Sequence, residues 1–149
     1  MATVIDLQND SGLEAVPAPA LFQQWVEAAL QNPYPRLEQT ICIVGEAESR
    51  ELNRRFRDRD LATNVLAFPG DSELLDYDCL GDLVICAPLV LVEAETQGKS
   101  VEAHWAHLVV HGMLHLQGFD HQDADQAREM EQLEIKILDT LGYTNPYND

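Results

Sequence analysis

The sequence predicts an α+β domain, a small mixed sheet of about four strands covered by about five helices. Three observations carry that expectation. Periodic segments come in the order β, α, β, α, β, β and then three helices, which is neither strict βαβ alternation nor an all-helical pattern. At 149 residues the chain is long enough to bury a core without covalent staples. No internal repeat, low-complexity segment or linker interrupts it, so residues 1–149 read as one domain.

Thr3 to Leu7 forms a first strand through Val4, Ile5 and Leu7, and stops at the polar turn Gln8-Asn9-Asp10-Ser11-Gly12. A helix from about Ala20 to Gln31 carries Leu21, Trp25, Ala28 and Ala29 on one face, and Pro33 and Pro35 end it. Thr40 to Val44 is a short β-branched strand. A second helix, about Glu46 to Phe56, spaces Leu52 and Phe56 at i, i+4, so both are expected in the core. Asn64 to Phe68 is a strand closed by Pro69, and Gly70 to Asp78 an exposed acidic loop without period. The apolar run Leu83 to Cys86, bounded by Gly81 and Pro88, predicts a buried strand, and Leu89 to Gln97 a short helix closing at Gly98. Ser100 is a good N-cap for the next helix, with Glu102 in its first turn. Asp123 caps the last helix with Gln126 as capping-box partner. That helix is expected to bury Met130, Leu133, Ile137, Leu138 and Leu141 before it ends at Gly142.

No stretch has the apolar length of a membrane span, and the N-terminus lacks a basic and then apolar leader, so the chain is expected in the cytoplasm with no membrane partner. Cys42, Cys79 and Cys86 are an odd number without metal-knuckle spacing and read as reduced thiols packed as small hydrophobes. A net charge of −17 repels polyanions overall. Yet Arg50, Arg54, Arg55, Arg57 and Arg59 are five of the nine basic residues, crowded into ten positions. Such a run is either a solvated helix face or a local phosphate-binding patch on a repelling surface.

All five histidines fall between His104 and His121, in HWAHLVVHGMLHLQGFDH. His111, His115 and His121 have the spacing H-x-x-x-H-x-x-G-x-x-H. On a helix, positions i and i+4 share a face, so His111 and His115 can aim at one ion. Gly118 can take a left-handed conformation that ends the helix and returns His121 as a third ligand. Three imidazoles with one open position is the arrangement of a catalytic zinc, although histidines suit other divalent ions too. A ligand set using His107 is the weaker alternative, because successive i+4 histidines drift round the helix. As functional residues His107 fits better behind the ligands or in the wall of the site, and His104 as a surface or substrate-side histidine, but for both the favoured reading is an ordinary packed or solvated histidine. The spacing is that of metzincin proteases, but Gly112 stands where they carry the general-base glutamate, which sets a zinc peptidase last among the readings.

HGMLHLQGFDH resembles the H-G-x-L-H-L-x-G-[YF]-D-H signature of the YbeY family of bacterial endoribonucleases. LNRRFRDRDLATNVLAFP (52–69), LGDLVIC (80–86) and GYTNPY (142–147) resemble that family as well, so the similarity spans nearly the whole chain. The resemblance implies a metal-dependent RNase of single-stranded RNA that matures the 3′ end of small-subunit ribosomal RNA and serves ribosome quality control. It implies His111, His115 and His121 as ligands of one zinc ion, and Arg57 as the functionally essential arginine. A metal and the cluster Arg50, Arg54, Arg55, Arg57 and Arg59 would then form one cationic groove for RNA, with ribosomal RNA and the small subunit as partners and no DNA expected. Asp82 and Asp120 are candidates for a general base, but the favoured reading makes Asp82 a turn brace and Asp120 a second-shell residue orienting a ligand histidine. The runner-up function is a ribosome-assembly RNA-binding factor whose metal is structural.

Overall fold

The computed structural model describes residues 2–70 and 79–147, so the acidic loop expected over Gly70 to Asp78 lies, Gly70 apart, outside the described residues. Its sheet is organised by β2 (Arg36–Val44), where Leu37, Gln39, Ile41 and Ile43 alternate inward. β1 (Ala2–Asn9) pairs with β2 in parallel along its whole length, from Ala2 opposite Arg36 to Asn9 opposite Ile43. Both strands are therefore longer than their local patterns suggest. Gln39 breaks the apolar alternation of β2, yet it is buried and donates Nε2 hydrogen bonds to the carbonyls of Gly81 (2.8 Å) and Thr40 (3.0 Å). β4 (Gly81–Cys86) lies parallel to β2 on its other side, and β3 (Val65–Pro69) runs antiparallel to β4 at the edge, giving the order β1-β2-β4-β3.

Five helices complete the described chain: α1 (Pro19–Ala29), α2 (Glu46–Arg57), α3 (Ala87–Gln97), α4 (Val101–Leu116) and α5 (Ala124–Thr140). The sequence-derived α+β architecture with a small mixed sheet is the one observed. α4 is the axis of the main core. It touches α1, α3, α5, β3 and β4, and it buries Trp105, Leu108, Val109, Gly112, Met113 and Leu116. Phe22 of α1 sits edge-on to both Trp25 and Trp105, at centroid distances of 5.4 and 5.7 Å. Caps form as their residues dictate: Ser100 accepts from Ala103 N–H and Asp123 from Gln126 N–H. The Gln126 side chain accepts from Gln122 N–H, one residue short of a capping box closed on Asp123.

The opposite sheet face carries a small cluster of Val44, Leu66 and Val84, against which Leu52 of α2 packs. Here one expectation fails. Phe56 is 57% exposed, resting edge-on against Phe68 at the sheet margin (5.3 Å) with the Arg55 guanidinium 5.4 Å from its ring centroid. The buried positions of α2 are instead Ser49 and Asn53. Ser49 Oγ donates to Thr63 O and accepts from Thr63 N–H, while Asn53 Nδ2 donates to Leu61 O. The helix thus spends its inner face on polar clamps that satisfy the loop after it. Leu21, Ala28, Leu133 and Leu141 are half-buried, packed on the core rather than within it.

Cys42, Cys79 and Cys86 are free thiols. Burial pushes the Cys42 and Cys86 thiols up, as suits inert packing groups. Among the described residues no helix is long and apolar enough to cross a membrane.

Candidate metal centre

α4 delivers two imidazoles from consecutive turns of one face, and the Nε2 atoms of His111 and His115 converge to 3.1 Å. The helix then ends in paired bonds, Gly118 N–H to His115 O and Phe119 N–H to Leu114 O, with Gly118 at φ +100°. That left-handed turn reverses the chain and returns His121. The ligand atoms of His111, His115 and His121 all lie within 4.8 Å of one another. Tetrahedral zinc with ordinary Zn–N bonds holds its donors about 3.3 Å apart, so the two helix nitrogens already stand near that separation. Among the described residues this cluster has three protein donors, one fewer than usually closes a structural zinc site. Burial, reinforced by the neighbouring charges of His111 and His121, holds the His115 imidazole below its ordinary value and so favours the neutral form a metal requires.

Behind the three histidines stands Glu134 of α5, 1% exposed. Its Oε1 accepts from His111 Nδ1 (2.9 Å) and from His107 Nε2 (3.0 Å), and its Oε2 accepts from the Tyr147 hydroxyl (3.0 Å). Burial alone would raise this carboxyl, but the bonds from His107 and His111 outweigh it and hold the group down at about 2. Tyr147 responds in the other direction, its phenol pushed up by burial and by the Glu134 charge. Sequence reasoning missed both residues. The signal for Glu134 was present, because it interrupts the stripe Met130, Ile137, Leu138 on the buried face of α5. Tyr147 had only its place in the segment GYTNPY.

A groove of about 510 Å³ opens in front of the histidines, lined by His111, His115 and His121 on one side and Arg57, Arg59 and Asn53 on the other. Arg57 is the last residue of α2, and Asp58 beyond it adopts φ +58°, which turns the chain so that Arg59 lines the same groove. One Arg57 Nη donates to Ala67 O of β3 (2.9 Å) and fixes the guanidinium at the rim. The other arginines of the cluster do not join them. Arg50 makes a forked pair with Asp60, Arg54 one with Glu51, and Arg55 covers Phe56. Of the five arginines expected in one cationic groove, two line it, because α2 points successive residues in different directions, acids pair with Arg50 and Arg54, and Arg55 lies over Phe56.

Three other candidates occupy distinct places in the fold. Asp82 projects from the β4 face shared with Val84, whereas Leu83 faces α4, so the sheet itself separates Asp82 from the histidines. Asp120 accepts from the backbone N–H of His121 (2.7 Å) and stays 4.0 Å from His121 Nδ1, so it braces the loop and not the ring. His104 is the packed histidine of the favoured reading, 3% exposed, and its Nε2 meets Glu93 Oε1 at 2.9 Å. His107 occupies the layer behind the ligands, on Glu134.

A protein-family model described as endoribonuclease YbeY matches residues 5–142. Endoribonuclease YbeY of Pseudomonas entomophila strain L48 is 53% identical over 147 residues, spanning 97% of this chain and 93% of the relative. The protein of the same name from Pseudomonas fluorescens Pf-5 is 54% identical over 147 residues, spanning 97% and 96%. The solution structure of TM1509 from Thermotoga maritima aligns with a TM-score of 0.56 at 21% identity, over 98% of this chain and 100% of that one, a likeness of fold alone.

Proposed function

Since the chain belongs to the endoribonuclease YbeY family, we infer that the groove between Arg57 and the three histidines is where it cleaves single-stranded RNA. The activity is that of a metal-dependent endoribonuclease, a phosphodiester hydrolase, and we take residues 1–149 as one such domain. The observation that carries the assignment of the site is the meeting of His111, His115, His121 and Arg57 around a single opening. We assign one Zn²⁺ to the histidine trio, the all-imidazole donor set being suited to it. Such an ion supplies a Lewis acid for a phosphoryl oxygen and lowers the pKa of a bound water.

The chain's own residues do the rest. Arg57, anchored on Ala67 O, keeps further N–H groups for the non-bridging oxygens, and its planar fork can hold two of them at once. Arg59 adds a second cation to the groove, while the acidic remainder of the chain discourages extended, non-specific binding. The family resemblance supports ribosomal RNA as substrate, with maturation of the small-subunit 3′ end, a part in ribosome quality control, the small subunit as partner and the cytoplasm as location.

The test is metal analysis coupled to cleavage of a single-stranded RNA and of a ribosomal RNA precursor, with highly purified wild type, His115→Ala and Arg57→Ala. Wild type should carry one ion and cut, and His115→Ala should lose both while keeping its fold. Equal cleavage by all three would trace the activity to a contaminant. Precursor binding by wild type without turnover would favour an assembly factor with a structural metal.

A further inference from the structure

We propose that Glu134, braced by the C-terminal Tyr147, sets His111 in the tautomer that leaves its Nε2 bare for a metal ion. The idea rests on reading the histidine trio as a metal site. It adds that the turn carrying Tyr147 is a working part of that site.

A neutral imidazole carries one N–H, and the nitrogen that holds the proton cannot ligate a metal. His111 must therefore keep its proton on Nδ1 if its Nε2, 3.1 Å from His115 Nε2, is to ligate an ion. Glu134 Oε1, 2.9 Å from Nδ1, accepts that proton's hydrogen bond and holds the ring in this state. The same oxygen takes the His107 Nε2–H at 3.0 Å, so one buried atom organises two rings. A carboxylate so enclosed needs partners for its second oxygen too, or it leaves the site costly and loose. Tyr147 fills that need. Its hydroxyl donates to Oε2 at 3.0 Å, and its ring stands edge-on to His107 at 5.3 Å. Neither Glu134 nor Tyr147 lines the groove of Arg57; they act through His111, as positioning residues.

The experiment uses the full-length protein. In its metal-free form, imidazole ¹⁵N spectra report which nitrogen of His111 is protonated. Competition with a chelator then gives the Zn²⁺ affinity. Glu134→Gln keeps an oxygen acceptor without the charge, and Glu134→Met keeps length without an acceptor. Wild type and Glu134→Gln should hold the proton on Nδ1, whereas Glu134→Met should shift it towards Nε2. Zn²⁺ affinity should fall by about 10- to 100-fold in Glu134→Met, less in Glu134→Gln, and severalfold in Tyr147→Phe. Thermal melts that remain cooperative keep the comparison among folded proteins. A Glu134→Met protein with His111 still protonated on Nδ1 and an affinity within twofold of wild type would overturn the proposal. Should wild type take up no Zn²⁺, the reading of the trio falls, and the spectra still decide this one: an Nε2 proton on wild-type His111 would overturn it and an Nδ1 proton would uphold it.

Discussion

Leu83 lies directly against Gly112: a Cβ added to the glycine would stand 2.6 Å from Leu83 Cδ2 and 3.4 Å from Val65 Cγ2. This is the position at which zinc proteases of the same histidine spacing carry their glutamate. Here α4 is pressed onto β3 and β4 so closely that a side chain at position 112 would have to displace Leu83. The peptidase reading therefore fails on packing as well as on chemistry.

Gly112→Ala should follow from that contact. Overpacking costs about 1–3 kcal/mol, and the helix propensity of alanine returns about 1 kcal/mol, so a net loss of about 1 kcal/mol is expected. In a Leu83→Val background, where the opposing methyl is gone, Gly112→Ala should cost less. Urea unfolding of the two single variants and the double variant measures the coupling. Simple additivity would mean that Leu83 is not what excludes the side chain.

The arginines should divide into two classes. Arg57→Ala should lower turnover on single-stranded RNA by about 10²- to 10³-fold, the scale of one lost transition-state donor, with Zn²⁺ affinity kept. Arg50→Ala and Arg54→Ala break exposed pairs with Asp60 and Glu51, and should leave turnover within about twofold and the urea midpoint essentially unchanged. Equal losses across the three would restore the whole run as a binding patch.

Metal should stabilise the fold as well as activate it. At a free concentration about 100 times the dissociation constant, an ion bound only by the folded state adds about 2.7 kcal/mol. Scanning calorimetry of wild type with and without a chelator should show that difference as a raised melting temperature. His115→Ala should melt at one temperature in both conditions and close to metal-free wild type. A chelator-dependent shift surviving in that variant would place the ion elsewhere.

His104 should make the fold acid-sensitive. Burial of its charged form outweighs the hydrogen bond and charge of Glu93, with Lys99 and His107 also against protonation, so the folded imidazole lies below the ordinary 6.5. The unfolded chain takes up its proton first as pH falls. Stability should thus be unaffected by this group above pH 6.5 and decline as pH drops below it, towards the folded value. His104→Gln removes the titration, and its stability should fall less steeply between pH 7 and pH 5. Parallel profiles for variant and wild type, from urea unfolding at several pH values, would count against it.

What could be read from the sequence is what depends on near neighbours along the chain. His111 and His115 share a face because a helix repeats every 3.6 residues. Gly118 ends the helix because it adopts a positive φ at little cost, and Ser100 and Asp123 cap because their oxygens sit beside open N–H groups. The strand and helix order followed from the same local periods, and with it the α+β class.

Tertiary packing alone decided the rest. Glu134 looks, in a chain with 26 acidic residues, like one more solvated carboxylate, and only the docking of α5 on α4 turns it towards His111. Tyr147 reaches the same carboxylate by folding back from beyond α5, a path no local pattern encodes. Which two of five arginines face the histidines depends on how α2 lies across the sheet, and on Asp60 and Glu51 claiming two others. The spacing of residues within one helix is set by backbone geometry. The pairing of residues from different elements is set by how apolar faces pack, and a linear sequence states those faces without stating which will meet.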